Sequence, residues 1–307
     1  MAIRKAERNK TIELSPKEQK FYAARCIKLK AKAAPEDIFD KTIYQDSLRA
    51  IDFFPDKCVD LMVVDPPYNL TKNFGRSTFK ETDLDSYKKW LNKWLKKTVR
   101  VLKDKASVYI CSDWKTSIAI PEIAGKYFIL QNRISWEREK GRGAQNNWKN
   151  CLEDIWFFTV SREYTFNLEA VKIQKEVIAP YRDSSGAPKD WFENGNKRYR
   201  LTHPSNVWTD ISIPFWSMSE NTPHPTQKPE KLIAKLILAS SNPGDVVFDP
   251  FLGSGTTSVT AKKLGRRFVG IEREKEYAAL AERRLELAET HPEIQGFENG
   301  IFKSRNS

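Results

Sequence analysis

The chain has 307 residues, 40% of them hydrophobic and 12% aromatic, with a formal charge of +12. That is enough apolar material for one large α/β domain, or for one domain carrying a sizeable insertion. No run approaches the ~18 consecutive apolar residues of a membrane helix, and the basic, polar start lacks the apolar stretch of a secretory signal.

Cys26, Cys58, Cys111 and Cys151 show no paired spacing, which argues against a zinc site or a disulfide framework and suits a reducing cytoplasm. With three histidines in the chain, no metal centre is expected. The cationic excess favours a polyanionic partner, because each neutralised phosphate releases counterions. Residues 1–32 hold ten Lys or Arg against three Glu, so residues 1–40 read as a basic arm that embraces DNA, the alternative being a solvated tail.

In chain order, Ile43 and Tyr44 read as a short strand ending at Asp46. Leu61 to Val64 is the unbroken apolar run of a central parallel strand. After a polar loop, Tyr87, Leu91, Trp94, Leu95, Thr98 and Leu102 recur at helical spacing, with Asp83 or Asp85 as the N-cap. Strands are predicted at 107–111, 129–136 and 155–160, with the basic loop Lys140-Gly141-Arg142-Gly143 between the last two. Periodicity fails over residues 161–222, which read as a variable insertion rather than part of the sheet. It returns at His224-Pro225-Thr226-Gln227-Lys228-Pro229, which opens a helix with Leu232, Ile233, Leu236 and Ile237 on its apolar face. A strand at 246–248, a glycine turn, a helix to about 264, a strand at 267–271 and a helix over 275–289 complete the pattern. Alternating strands and helices predict an α/β fold, a doubly wound, mostly parallel sheet. The expected divisions are the arm (1–40), a catalytic half (41–160), a target-recognition insertion (161–222), a cofactor half (223–290) and a tail (291–307).

Two motifs carry chemistry. Phe248-Asp249-Pro250-Phe251-Leu252-Gly253-Ser254-Gly255-Thr256-Thr257 is a strand-to-helix turn in which Gly253 and Gly255 can take positive φ and leave room for a ligand. It lacks the lysine of a phosphate-binding loop. Asp249 would repel a pyrophosphate but welcome an ammonium, and Glu272 at the next strand end can accept hydrogen bonds from ribose hydroxyls. That pairing describes S-adenosylmethionine better than a dinucleotide. Upstream, Asp65-Pro66-Pro67-Tyr68 follows the strand at 61–64. An exocyclic amino group on a base is a weak nucleophile, because its lone pair is delocalised into the ring. The Asp65 carboxylate and the Pro66 carbonyl supply two acceptors that localise that pair, while the Pro66-Pro67 step fixes the backbone and Tyr68 offers a stacking face.

On these motifs the chain resembles the amino-group DNA methyltransferases of the beta arrangement, in which Asp-Pro-Pro-Tyr precedes the glycine turn and a target-recognition insertion lies between. The likeness covers roughly residues 40–160 and 222–290. It implies a circularly permuted S-adenosylmethionine-dependent methyltransferase fold, acting on double-stranded DNA after base flipping. It implies catalytic roles for Asp65, Pro66, Pro67 and Tyr68. The cofactor would lie against Asp65, Asp249, Phe251, Gly253, Ser254, Gly255, Thr256 and Glu272, with Thr226 and Lys228 at its methionine end and Asp46 at its adenine.

Aspartate at the first motif position is typical of adenine N6 enzymes of that family. The alternatives are cytosine N4 methylation and a catalytically silent DNA-binding module of the same fold. A restriction-modification setting, a cognate endonuclease and a homodimer are family-level expectations. For DNA contact, Arg138, Lys140, Arg142 and Lys149 form a basic loop near the cleft, and Arg182, Lys197, Arg198 and Arg200 fall in the insertion.

Overall fold

The computed structural model describes residues 7–74, 77–138, 146–177 and 181–304. Its main sheet has eight strands: β1 (Lys41–Tyr44), β2 (Val59–Val64), β3 (Leu102–Ser112), β4 (Ile129–Glu137), β5 (Leu152–Thr159), β6 (Val207–Trp208), β7 (Val246–Asp249) and β8 (Arg267–Glu272). Their spatial order is β1-β8-β7-β2-β3-β5-β4-β6. Neighbours are parallel except at β5, which runs against both β3 and β4. The doubly wound, mostly parallel sheet is therefore present, with one reversed strand.

The apolar run of β2 is unbroken because both faces of the sheet are covered. Met62 and Val64 join one core cluster with Tyr87, Leu91, Trp94 and Leu95 of helix α2 (Leu84–Thr98). Leu61 and Val63 point to the other cluster, with Leu232, Ile233, Leu236 and Ile237 of helix α3 (Glu230–Ser240). Asp83 caps α2 by accepting from the Ser86 N–H at 2.8 Å. The helix stops at Thr98, so Leu102 opens β3 instead of closing the helix face.

The glycine turn leads from β7 into helix α4 (Thr256–Lys263), and β8 leads into helix α5 (Lys275–Thr290). Gly255 has φ 91°, and a Cβ there would sit 2.7 Å from the Ala281 Cβ of α5. Its conformation and the helix contact both demand glycine. Gly255→Ala is expected to cost about 2–4 kcal/mol, from left-handed strain plus overpacking. Thermal denaturation checks this, and an unchanged melting temperature would refute it.

Three divisions need correction. Residues 7–40 do not reach away as an arm: helix α1 (Pro16–Ala23) lies on α5, where the Tyr22 hydroxyl donates to Glu286 at 2.7 Å and Arg25 pairs with Glu286 at 2.6 Å. Ahead of it, the Lys10 N–H donates to the Trp216 carbonyl at 2.7 Å and the Ile12 N–H to that of Asn221 at 2.8 Å. Residues 161–222 are not devoid of sheet. They supply Ile173–Glu176, Phe192–Asn194 and Lys197–Thr202 to a second, five-stranded sheet, as well as β6 of the first. Residues 291–304 are not a tail, because Phe297–Glu298 and Ile301–Lys303 complete that second sheet.

Candidate active site

The chain leaves β7 through α4 to β8 on one side, and leaves β2 through α2 to β3 on the other. β7 and β2 pair directly, so the crevice beyond their carboxyl ends is the topological switch point where open α/β sheets bind ligands. A cavity of about 410 Å³ opens there. Asp46, Asp65, Pro66, Pro67, Tyr68, Thr226, Lys228, Asp249, Phe251, Gly253, Ser254, Thr256 and Glu272 all line it. Gly255 does not, since its role is the contact with α5.

The glycine turn is built around two buried acids. Asp249 accepts from the Phe251 N–H at 2.9 Å and from the Thr257 hydroxyl at 2.6 Å. Glu272 accepts from the N–H groups of Gly253 at 2.8 Å and Glu274 at 2.7 Å. Burial outweighs these bonds and pushes both carboxyls up to about 7. Gly253, at φ 56°, lies so close to His224 that a Cβ would meet its Nε2 at 3.0 Å. Burial, then the nearby Lys228 charge, drives that imidazole down to about 3, so it is neutral at physiological pH. Phe251 packs edge-on to Trp94 at 5.4 Å and lies 5.9 Å from Trp90. Phe79, from the hairpin Lys72–Phe74 and Ser77–Phe79, meets the far edge of Trp90 at 5.4 Å.

The second half of the site is a charge network. Lys228, 7% exposed, lies 2.6 Å from Asp65 Oδ2 and 3.3 Å from Glu153 Oε2. The Tyr68 hydroxyl donates to Glu153 Oε2 at 3.2 Å, and Arg138 pairs with Glu153 Oε1. The Pro67 carbonyl accepts from the Tyr87 hydroxyl at 3.2 Å, which ties the diproline step to α2. Burial raises Asp65 despite Lys228. Burial would raise Glu153 too, but Lys228 and Arg138 overcome it and hold that carboxyl below its ordinary range. Asp65 Oδ1 is buried and has no hydrogen-bond partner among the described residues. An orphaned acceptor of this kind is costly unless a ligand donates to it.

Sequence reasoning missed Glu153, Trp90 and Arg284. Glu153 shows in the sequence only as one of two adjacent acids, with Asp154, near the start of the strand Leu152–Thr159. Arg284 interrupts the buried face of α5 and is 2% exposed. It donates to the Ser254 carbonyl at 2.9 Å, to the Thr256 hydroxyl at 3.0 Å and to Glu230 at 2.8 Å, buttressing the turn from below.

The proposed DNA contacts divide. Arg138 is at the cavity, whereas Lys140 and Arg142 lie outside the described residues. Lys149 is exposed beside Trp148, itself 91% exposed. Arg182, Lys197, Arg198 and Arg200 gather at the second sheet, away from the cavity lining. The guanidiniums of Arg182 and Arg198 lie 5.2 and 5.3 Å from the Trp191 ring centroid. Lys197 pairs with Glu176 at 3.0 Å and Arg200 with Asp190 at 3.8 Å.

The glycine turn with its two buried acids and the Asp65 carboxylate meet in one crevice, as the class of S-adenosylmethionine-dependent methyltransferases would require. The chain belongs to the N6/N4 DNA methylase family, whose model matches residues 59–283. It is 33% identical over 264 residues to the type II methyltransferase M.HpaI of Haemophilus parainfluenzae, covering 84% of this chain and 76% of that one. It is 37% identical over 251 residues to the DNA adenine methyltransferase YhdJ of Escherichia coli, covering 80% and 82%. The fold is shared with the M1.HpyAVI–SAM complex, at TM-score 0.55 and 24% identity over 80% of this chain and 98% of that one. It is also shared with the cytosine-N4-specific PvuII DNA methyltransferase, at TM-score 0.57 and 18% identity over 80% and 85%. The enzyme is thus a DNA methyltransferase that uses S-adenosylmethionine.

The residues present fit that cofactor. Asp249 and Glu272 suit an ammonium and a ribose, and Asp46 stands beyond β1, the strand next to β8. Because both buried carboxyls sit at about 7, a cationic ligand must displace protons as it binds. A carboxyl raised in the folded state contributes stability that is present at low pH and lost as pH rises through about 7. Cofactor affinity should therefore rise, by up to about tenfold per pH unit for each displaced proton, as pH climbs toward 7. Calorimetric titration in two buffers of different ionisation enthalpy would detect the released protons. A proton count of zero near neutrality would refute the assignment.

Proposed function

We propose that this enzyme methylates the exocyclic N6 of adenine at a specific site in duplex DNA, as the modification partner of a restriction-modification system. The observation that carries this is the buried Asp65 Oδ1, without a hydrogen-bond partner among the described residues, beside the diproline step in the lining of the cofactor cavity. Asp65 accepts one hydrogen bond from the base amino group and the Pro66 carbonyl accepts the other. The Tyr68 ring stacks on the base. When bound, S-adenosylmethionine supplies an electrophilic methyl carbon whose sulfur departs with the bonding pair as a neutral thioether. As the nitrogen–carbon bond forms, the amino group becomes positively charged, and the Asp65 carboxylate stabilises it and is the nearest acceptor for its proton. These groups cannot reach a base inside a helix, so the base must be extruded first.

Adenine is favoured by aspartate at the first motif position, and the relative YhdJ is named an adenine methyltransferase. Relatives named type II methyltransferases support the restriction-modification setting; a cognate endonuclease, a cytoplasmic location and a homodimer are part of the same proposal. No helix among the described residues is long and apolar enough to cross a membrane. Transfer of a labelled methyl group to duplex DNA, followed by nucleoside analysis, tests the reading. Label in N6-methyladenine is expected, and label in N4-methylcytosine would overturn the choice of base.

A further inference from the structure

Glu153 is the second residue of the reversed strand β5, outside both motifs, and is 5% exposed. A carboxylate this deep is costly to bury unless it is paired. Two of its partners, Tyr68 and Lys228, belong to the catalytic network, and the third, Arg138, lies at the cavity with its side chain 40% exposed. Its surroundings therefore combine the catalytic centre with a cation toward solvent.

We propose that Glu153 is a positioning residue for methyl transfer: it fixes the Tyr68 ring and shares the Lys228 ammonium, so that Asp65 Oδ1 is left to receive the target amino group. The proposal rests on the roles given above to Asp65 and Tyr68. The Tyr68 hydroxyl donates to Glu153 at 3.2 Å, with the Asp65 carboxylate also beside it, so the bond orients the ring and leaves the face away from Lys228 to the base. Lys228 has three donors and two carboxylates to serve. With Glu153 drawing on the ammonium, Asp65 commits one oxygen to it and keeps the other. Without Glu153, Lys228 turns wholly to Asp65 and weakens the acceptor the reaction needs. A side chain that merely filled space would require neither the charge nor these directions.

Among the described residues, the charged and titratable groups around Asp65 and Glu153 are Tyr68 from the motif, Lys72 from the hairpin, Tyr87 from α2, Cys111 from β3, Arg138 after β4, Lys228 before α3 and Asp249 from β7. Glu153 raises Asp65, and Asp249 repels it as well. Glu153→Gln should therefore shift the acid limb of kcat to lower pH. It should also lower kcat by roughly 10- to 100-fold, the scale of a small misplacement of reacting groups. The KM for S-adenosylmethionine should change by no more than about threefold, since no ground-state contact to the cofactor is lost. Glu153→Ala, with no acceptor left for Tyr68, should lose more, so glutamine partly rescues alanine. Combined with Tyr68→Phe, Glu153→Gln should cost less than the product of the two single losses.

Wild-type kcat in Glu153→Gln overturns the proposal, as does a loss with an unmoved acid limb that multiplies fully with Tyr68→Phe. If both Glu153 variants fail to fold, Tyr68→Phe alone decides. It removes only the hydroxyl that Glu153 holds, and should lower kcat about tenfold at an unchanged melting temperature, while full activity overturns the proposal. Wild-type enzyme assayed in parallel separates the two readings. No methyl transfer by wild type sinks the proposed function, whereas transfer undiminished in the variants sinks the role of Glu153.

Discussion

Asp65→Ala is expected to lower kcat by about 10³-fold, the upper range for removing one preorganised electrostatic contact from a transition state. Affinity for S-adenosylmethionine should change little, because Asp249, Glu272 and the glycine turn are untouched. Nor should the enzyme unfold. Lys228 keeps Glu153 at 3.3 Å, so its ammonium retains a counter-charge, and the alanine removes a carboxylate that burial already disfavours in its charged form. Single-turnover methyl transfer and equilibrium cofactor titration, run on the same preparation, separate the effects. Turnover within about tenfold of wild type would take Asp65 out of the mechanism.

The second large effect concerns Lys228, which the sequence assigned to the methionine end of the cofactor. It does line the cofactor cavity, but its charge is committed to Asp65 and Glu153, and its ammonium lies 5.3 Å from the centre of the Tyr68 ring. Lys228→Met should cost about 3–5 kcal/mol at neutral pH, because it leaves two buried carboxylates without their shared cation. The sign of the pH dependence follows from the shifts. In the wild type, Lys228 helps hold Glu153 below its ordinary range, a contribution present at neutral pH and lost in acid. In the variant, Asp65 and Glu153 both rise, so protonation relieves their repulsion. The gap in melting temperature should therefore narrow as pH falls from roughly 8 to roughly 5. A gap independent of pH would mean that Lys228 acts by packing alone.

Much of this site was legible because its parts are short-range. Leu61 to Val64 announces a strand covered on both faces, and the acid, prolines and tyrosine beyond it follow in sequence. The glycine turn and Glu272 are likewise tied to strand ends. Glu153 and Arg284 were not legible. Each stands beside other charges, Glu153 next to Asp154 and Arg284 next to Arg283, and its meaning depends on what β5 or α5 lies against: Glu153 meets Lys228 from 75 residues away along the chain, and Arg284 meets Glu230 from 54. The second sheet was hidden for a different reason. Lys197–Thr202 has no fully buried residue and Ile301–Lys303 has only three positions, so neither shows the alternation that marks a half-buried strand. The charge of the N-terminal segment likewise does not say which cations meet an acid on a neighbouring helix, as Arg25 does.

The closing strand of the second sheet also sets an order of assembly. Ile301–Lys303 lies between Phe297–Glu298 and Ile173–Glu176, pairing in parallel with the latter. During synthesis the ribosome must therefore add well over a hundred residues beyond Glu176 before that edge finds its neighbour. Until then Ile173–Glu176 keeps an open backbone edge, a template for unwanted pairing with other nascent chains. Premature termination or proteolytic trimming of the last dozen residues would spare both motifs and still leave this edge uncovered.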